Sequence, residues 1–273
     1  MTTIDSSADA YLGIDDLAVA LSDGVLSVTM NRPDSLNSLT AAMLTTIADT
    51  LERAHTDPRV RVVRLGGSGR GFSSGAGISE DDRANPGTAG TPGDVLDAAN
   101  RAVRSIVNLP QPVVAVVQGP AAGVGASLAL ASDVVLASEK AFFMLAFTRI
   151  GLMPDGGASA LIAAAVGRIR AMRMALLAER IPAAEAHEWG LVTAVYPADQ
   201  FDAEVDKVVS TLVNGPVVAL RKTKQAINAA TLAGLAGALE REKEGQLVLI
   251  DSHDFREGTK AFQQRRQANF TDS

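Results

Sequence analysis

At 273 residues the chain can form one large domain, or a large and a small one, and its 47% apolar but only 4% aromatic content dictates an aliphatic, alanine-rich core. A formal net charge of −6 excludes the broad basic field that nucleic acid or an anionic membrane would need, though local Arg and Lys clusters leave an anionic small ligand open. The absence of cysteine excludes disulfide scaffolds, thiolate catalysis and Cys-ligated zinc.

Residues 1–12 read as a loose tail. They carry acids and hydroxyls around no apolar core, so no signal peptide is expected and the protein is read as cytoplasmic. Residues 17–21 and 25–30 alternate around Ser22-Asp-Gly24, the pattern of a hairpin, and Asn31-Arg-Pro-Asp34 ends the second strand. Thr40 is placed to cap a helix over 41–55, with Leu44, Ile47 and Leu51 on one face. Residues 60–65 form a strand leading to a glycine-rich turn. Residues 79–94, acidic and then rich in Gly, Pro and Thr, read as a mobile loop. A helix over 95–107, a strand over 113–117 and a helix over 126–132 follow. The longest uncharged run lies between Arg104 and Asp133. Its Pro110, Pro112, Gly119, Pro120, Gly123 and Gly125 make it a strand, a turn and a buried helix rather than a membrane span. Residues 134–137 and 142–147 are short strands. Helices over 158–166 and 169–178 meet at Gly167, a short helix over 183–189 starts behind Pro182, and 192–196 is strand-like. From residue 201 the pattern is helical, over 201–213, 216–230 and 232–250. A soft boundary near 198 therefore separates 1–198, where strands alternate with helices, from 199–273.

The chemistry concentrates in two glycine turns, Gly71-Phe-Ser-Ser-Gly-Ala-Gly77 and Gly119-Pro-Ala-Ala-Gly-Val-Gly125. Each follows a strand, and the second opens into a helix. Glycines let the backbone approach a ligand and free its N–H groups, and a helix N-terminus adds partial positive charge. If the turns meet in space, they can hold one developing negative charge with backbone donors alone, as an oxyanion hole does. Tight strand–helix packing accounts equally well for the second turn alone. Gly71-Phe-Ser-Ser-Gly75 also matches the nucleophile-elbow pattern, but residues 66–70 separate Ser73 from its strand, which favours a chance match over a serine hydrolase. Neither G-x-G-x-x-G nor a P-loop is present. Asp155, in Met153-Pro-Asp-Gly-Gly157, reads as a turn or N-cap residue by default. Its apolar neighbours, among them Phe143, Leu145, Phe147 and Ile150, would raise its pKa by desolvation and make it a base near neutrality. Arg265 and Arg266 read as a solvated basic face. The three histidines show no metal spacing, so no metal site is expected.

Three segments together resemble the crotonase, or enoyl-CoA hydratase/isomerase, superfamily: Asn31-Arg-Pro-Asp-Ser-Leu-Asn-Ser-Leu39, Gly71 to Glu80, and Gln118 to Asp133. The likeness spans most of the chain. It implies repeated ββα units wound as a spiral, a C-terminal helical trimerisation region, and a homotrimer or dimer of trimers. The implied ligand is an acyl-CoA thioester, with no cofactor beyond the CoA of the substrate. By motif position the oxyanion donors are the N–H groups of Ala76 and Val124, within turns that place Ser74, Gly75 and Gly123 beside the substrate. Hydratases of this family use two glutamates to activate water. Ser127 and Phe147 stand at those positions, which counts against hydration by that route. Gly77 replaces the family's aspartate after Gly-Ala, a change of loop geometry more than of chemistry. Asp155 matches the aspartate that some isomerase branches use as base. Residues 146–157, Ala186-His-Glu-Trp-Gly190 and Lys224-Gln-Ala-Ile-Asn228 resemble the branch containing 1,2-epoxyphenylacetyl-CoA isomerase. Arg32, Phe262 and Arg265 are candidate CoA contacts, the last two from a neighbouring subunit, and Glu80 or Asp81 is a candidate second proton relay. The expectation is an acyl-CoA isomerase with Asp155 as base. The alternatives are an enoyl-CoA hydratase (lyase) of fatty-acid or related acyl-CoA degradation, and a non-catalytic acyl-CoA-binding member.

Overall fold

The computed structural model of the protein describes residues 11–77 and 91–272. Most of the tail expected at 1–12, and most of the loop expected at 79–94 with Glu80 and Asp81, lie outside the described residues. The hairpin forms as its alternation requires. Strand β1 (Leu17–Ser22) pairs antiparallel with β2 (Val25–Met30) through Asp23-Gly24, both at positive φ, the turn geometry that matches strand twist. Strands β3 (Val62–Gly67), β4 (Val113–Val117), β6 (Val134–Ser138) and β9 (Ala194–Tyr196) continue the sheet in parallel, in the order β1-β2-β3-β4-β6-β9. A second sheet is built from β5 (Pro120–Ala122), β7 (Phe142–Met144) and β8 (Ile181–Pro182).

The strands follow one another in a repeating manner. β4 of the first sheet leads at once to β5 of the second, and β6 leads to β7. The first glycine turn extends the second sheet, since Leu39 pairs with Ala76 and Ser73 with Ala121. A helix follows each such pair, so the chain is a set of ββα units. The helices are α1 (Ala41–Ala54), α2 (Pro92–Asn108), α3 (Val124–Leu130), α4 (Ala158–Leu177) and α5 (Ala183–Glu188), then α6 (Phe201–Val213), α7 (Val217–Thr231), α8 (Leu235–Ile250) and α9 (His253–Gln263). None among the described residues is long and apolar enough to cross a membrane.

Period-two alternation in β4 shows why it is apolar throughout. Val113, Ala115 and Val117 face the main core with α1 and α2, whereas Val114 and Val116 face Phe201, Val205 and Val209 of α6. α1 carries Leu44, Ile47 and Leu51 into the core as expected, and Thr40 accepts a hydrogen bond from the Met43 N–H at 3.2 Å. The C-terminal helices are tied to the first sheet by a buried cation. Lys224 Nζ of α7 lies 2.7 Å from Asp133 Oδ2 and donates to the carbonyls of Ile106 and Gln111.

Several elements depart from expectation. α2 starts at Pro92 rather than 95, because Thr91 and Asp94 form a reciprocal capping box. Residues 120–122, read as turn, are strand, and α3 begins at Val124. The strand expected over 142–147 stops at Met144, and Ala146–Ile150 forms a 3₁₀ turn instead. The two helices around Gly167 run together as α4 across a kink there. α9, capped by Ser252, is an additional helix.

Candidate active site

The two glycine turns meet. Ser73 donates its N–H to the Pro120 carbonyl, and Ala122 donates its own to the Ser73 carbonyl at 2.9 Å. A side chain on Gly75 would stand 2.8 Å from the Ala122 carbonyl oxygen, and one on Gly125 would stand 2.6 Å from Ser73 Cβ. Such distances admit only glycine. Gly75 and Gly123 both hold positive φ, at 92° and 53°, and face one another across the junction. Among the described residues, neither the Ala76 N–H nor the Val124 N–H donates a hydrogen bond. Val124 is the first residue of α3, where an amide has no partner within the helix. Two orphan donors thus sit on adjoining turns, the second at a helix N-terminus.

Ser73 is not a nucleophile. It is fully buried, donates its hydroxyl to the Asn37 carbonyl at 2.8 Å and accepts from the Gly75 N–H at 3.1 Å. It braces the first turn. Asn37 does similar work, donating to the carbonyls of Ser68 and Gly71. The Ser74 hydroxyl donates to the Ser35 carbonyl, which turns it to the 31–39 segment.

Asp155 lies next to the second turn. The Ser127 hydroxyl on α3 donates to the Asp155 carbonyl at 2.8 Å. A side chain on Gly156 would meet Ser127 and Val124, and Phe147 reaches to within 3.8 Å of where a Gly123 side chain would project. Ser127 and Phe147, at the two glutamate positions of the resemblance, are therefore buried among the turns, one hydrogen-bonded and one apolar. The Asp155 carboxylate accepts one hydrogen bond, at Oδ2, from Gln246 Nε2 at 2.8 Å. Oδ1 is buried without a partner among the described residues. Burial pushes the pKa up to about 7; the Gln246 donor opposes the rise and the nearby Glu242 carboxylate adds to it.

Two residues of this site were not anticipated. Glu242 and Gln246 lie on α8, both buried. Glu242 accepts from the Gly157 N–H at 2.7 Å and the Ser159 N–H at 2.8 Å, which places a carboxylate on the N-terminus of α4. Burial raises its pKa, against the pull of those same bonds. Both residues follow Leu235, Ala238 and Leu239 at helical spacing on the buried face, so polar groups at core positions were the available signal.

The remaining candidates lie elsewhere. Arg32 donates to the Ser38 carbonyl and hydroxyl and stands 3.7 Å from Asp16. Phe262 is exposed on α9, with Arg265 just beyond it. α9 packs on the 146–150 turn, where a side chain on Gly258 would strike the Ile150 backbone. His253, Asp254 and Asp272 come together near the C-terminus with ligand atoms within 4.8 Å, a cluster that sequence spacing did not suggest. Its carboxylates already accept from the backbone N–H groups of Asp254, Thr271 and Asp272. A cleft of about 720 Å³ between α2, α7 and α8 contains neither glycine turn nor Asp155.

The comparisons agree with this architecture. The model of the Enoyl-CoA hydratase/isomerase family matches residues 20–273. The chain belongs to that family, which acts on acyl-CoA thioesters. It is 37% identical to the 1,2-epoxyphenylacetyl-CoA isomerase of Escherichia coli over 249 residues, 91% of this chain and 95% of that protein. It is 40% identical to the "Probable enoyl-CoA hydratase" of Rhodobacter capsulatus over 256 residues, 92% of this chain and 96% of that one. The crystal structure of an enoyl-CoA hydratase from Mycobacterium avium subsp. paratuberculosis superposes with a TM-score of 0.89 at 68% identity, covering 95% of this chain and 100% of that one. The crotonase spiral expected from the motifs is the fold.

An aspartate with a pKa raised from 3.8 to about 7 binds its proton more tightly folded than unfolded. Its contribution to stability is full below the ordinary carboxylate pKa and is lost as pH rises through about 7. Asp155→Asn removes that loss, and Asn can still accept from Gln246. The variant is expected to melt several degrees above the wild type at pH 8 and level with it at pH 4, by thermal denaturation across pH. A wild type more stable than the variant at pH 8 would contradict the buried, costly carboxylate.

Proposed function

We propose that the protein is an acyl-CoA isomerase in which Asp155 moves a proton along an acyl chain whose thioester is held by the Ala76 and Val124 N–H groups. The thioester oxygen accepts both hydrogen bonds. They strengthen as enolate charge develops, and one such donor is typically worth about 3 kcal/mol in a water-excluded site. The N-terminus of α3 adds to the same charge. Asp155 takes a proton from the acyl carbon on one side of the double bond, giving a dienolate and a neutral carboxyl. It returns that proton to the carbon on the other side, which shifts the double bond and restores the carboxylate. In an aromatic epoxide substrate the same enolate chemistry would accompany ring opening and rearrangement. The cycle balances without water, redox cofactor or metal.

The observation that carries this reading is the buried Asp155 carboxylate, with a pKa pushed up to about 7, on a residue whose carbonyl is held by Ser127 of the helix that begins at the orphan Val124 N–H. A group that must accept a proton and give it back works best when both forms are populated near neutrality. Enoyl-CoA hydratase is the second reading, favoured by the names of the Rhodobacter relative and the Mycobacterium structure. Against it, Ser127 has its hydroxyl on a carbonyl, Phe147 has no acid group, and Glu242 spends both oxygens on backbone amides.

The assembly we propose is a homotrimer or dimer of trimers. Past its kink α4 exposes Ile169, Met172, Leu176 and Leu177 at helical spacing, an apolar stripe that association would cover. Sedimentation at micromolar concentration should give three or six copies; a monomer would overturn this.

Asp155→Asn is expected to bind acyl-CoA with wild-type affinity and to lose at least about a thousandfold in kcat, since it removes the proton acceptor. Calorimetry with an acyl-CoA and a turnover assay check the two halves. Turnover within tenfold of wild type would remove Asp155 from the mechanism.

A further inference from the structure

We infer that Gln246 of α8 is a positioning residue for the reaction: its side-chain amide holds Asp155 Oδ2 and leaves Oδ1 as the oxygen that exchanges a proton with the acyl chain. This rests on the reading of Asp155 as base. The argument is one of geometry. Gln246 is buried and both ends of its amide are engaged. Its Oε1 accepts from the Met153 N–H at 3.2 Å, and its Nε2 donates to Asp155 Oδ2 at 2.8 Å. The backbone amide at Met153 decides which way the side chain faces. A flipped amide would oppose donor to donor at Met153 and acceptor to carboxylate at Asp155, losing both bonds. The NH₂ group is thus committed to the carboxylate before any substrate arrives.

The consequence is an asymmetric carboxylate. Oδ2 is anchored, while Oδ1 is buried with no partner among the described residues. A buried acceptor left unpaired costs free energy in the resting protein. Protonating it relieves that cost, so the orphan oxygen is the one driven to take a proton. The anchor also fixes the carboxylate torsion. Asp155 sits in the turn before α4, whose own glycines, Gly156 and Gly157, both at positive φ, do not restrain a side chain. The restraint comes instead from a helix about ninety residues further along the chain. The same helix holds the turn from its other end, through Glu242 on the amides of Gly157 and Ser159. α8 therefore clamps both the base and the backbone that carries it.

The charged groups that face Asp155 set the sign of a test. Glu242 of α8 disfavours its ionised form, and Arg241, on the same helix, acts on Glu242. From α3 the neighbours are the neutral Ser127 and Val124. The Gln246 donor is the group that favours the ionised form by a direct bond.

Gln246→Met keeps the volume of the side chain and deletes the donor. Losing a hydrogen bond to the charged form raises the carboxylate pKa, so the acidic limb of kcat/KM is expected to move up by about one pH unit. On the high-pH plateau kcat should still fall on the order of tenfold, because the carboxylate is no longer held in its reacting torsion. KM and the affinity for CoA should stay unchanged, which a general loss of structure would not allow. A folded Gln246→Met protein with the wild-type pH profile and kcat would overturn the inference. If the variant does not fold, the native protein decides. The Gln246 side-chain amide resonances should titrate with a midpoint near neutrality, and that titration should vanish in Asp155→Asn. Amide resonances that do not respond to pH would overturn the inference equally. Turnover by Asp155→Asn would instead sink the assignment of the base, so the two failures are distinguishable.

Discussion

The site depends on one backbone interlock. The segment after β3 and the segment after β4 pair through Ser73 and Ala121, and the pairing is close enough that Gly75 lies against Ala122 and Gly123, and Gly125 against Ser73. Everything that follows requires that approach. It turns the Ala76 and Val124 amides away from internal acceptors, and it sets the N-terminus of α3 behind them. A side chain at Gly75 or Gly125 would force the two segments apart. The enclosing structure makes the interlock rigid rather than merely possible. Ser73 and Asn37 fasten the first turn to neighbouring carbonyls, and β4 is packed on both faces.

Against this neutral frame the fold places one expensive group. A carboxylate with a buried, unpaired oxygen destabilises the protein at any pH where it is ionised. The chain tolerates it because α8 supplies one hydrogen bond to Asp155 and two acceptors to the turn that follows. The C-terminal helices are thus part of the site as well as of the packing. Lys224, on α7, anchors them to the first sheet through Asp133 and two carbonyls. With Asp155 as the proposed base, stability and chemistry are in tension there, as they tend to be where a group must be uncomfortable to be reactive.

The parts of this that sequence revealed were local. The hairpin, α1, β4 and α6 follow from periodicity and end signals within a few residues, and their bounds came out almost unchanged. The glycine turns were legible because glycine is required wherever backbones nearly touch. β5 and β8 were not, since two or three residues with a proline carry no periodic signal, and only pairing with β7 makes them strands. Met144 ends its strand early because the chain must turn at 146–150 to bring Phe147 under Gly123, a tertiary demand. Asp155 stood out by its apolar neighbours and by resemblance. Gln246 did not, although a glutamine and a glutamate on the Leu235–Leu239 face of a helix were a visible anomaly. Their partners lie far away in sequence, and burial of a polar residue names no partner by itself. The family resemblance supplied the spiral, which no local pattern contained.

We propose that a buried carboxylate and two backbone amides move a proton without engaging water. Incubation of the protein with a 3-enoyl-CoA in deuterated water tests it directly. The expected product is the 2-enoyl isomer with the migrating hydrogen largely retained from the substrate, little deuterium at C4, and no 3-hydroxyacyl-CoA. Rapid formation of 3-hydroxyacyl-CoA from crotonyl-CoA under the same conditions would contradict it, because Ser127 and Phe147 supply no acid to activate water and Glu242 is committed to backbone amides.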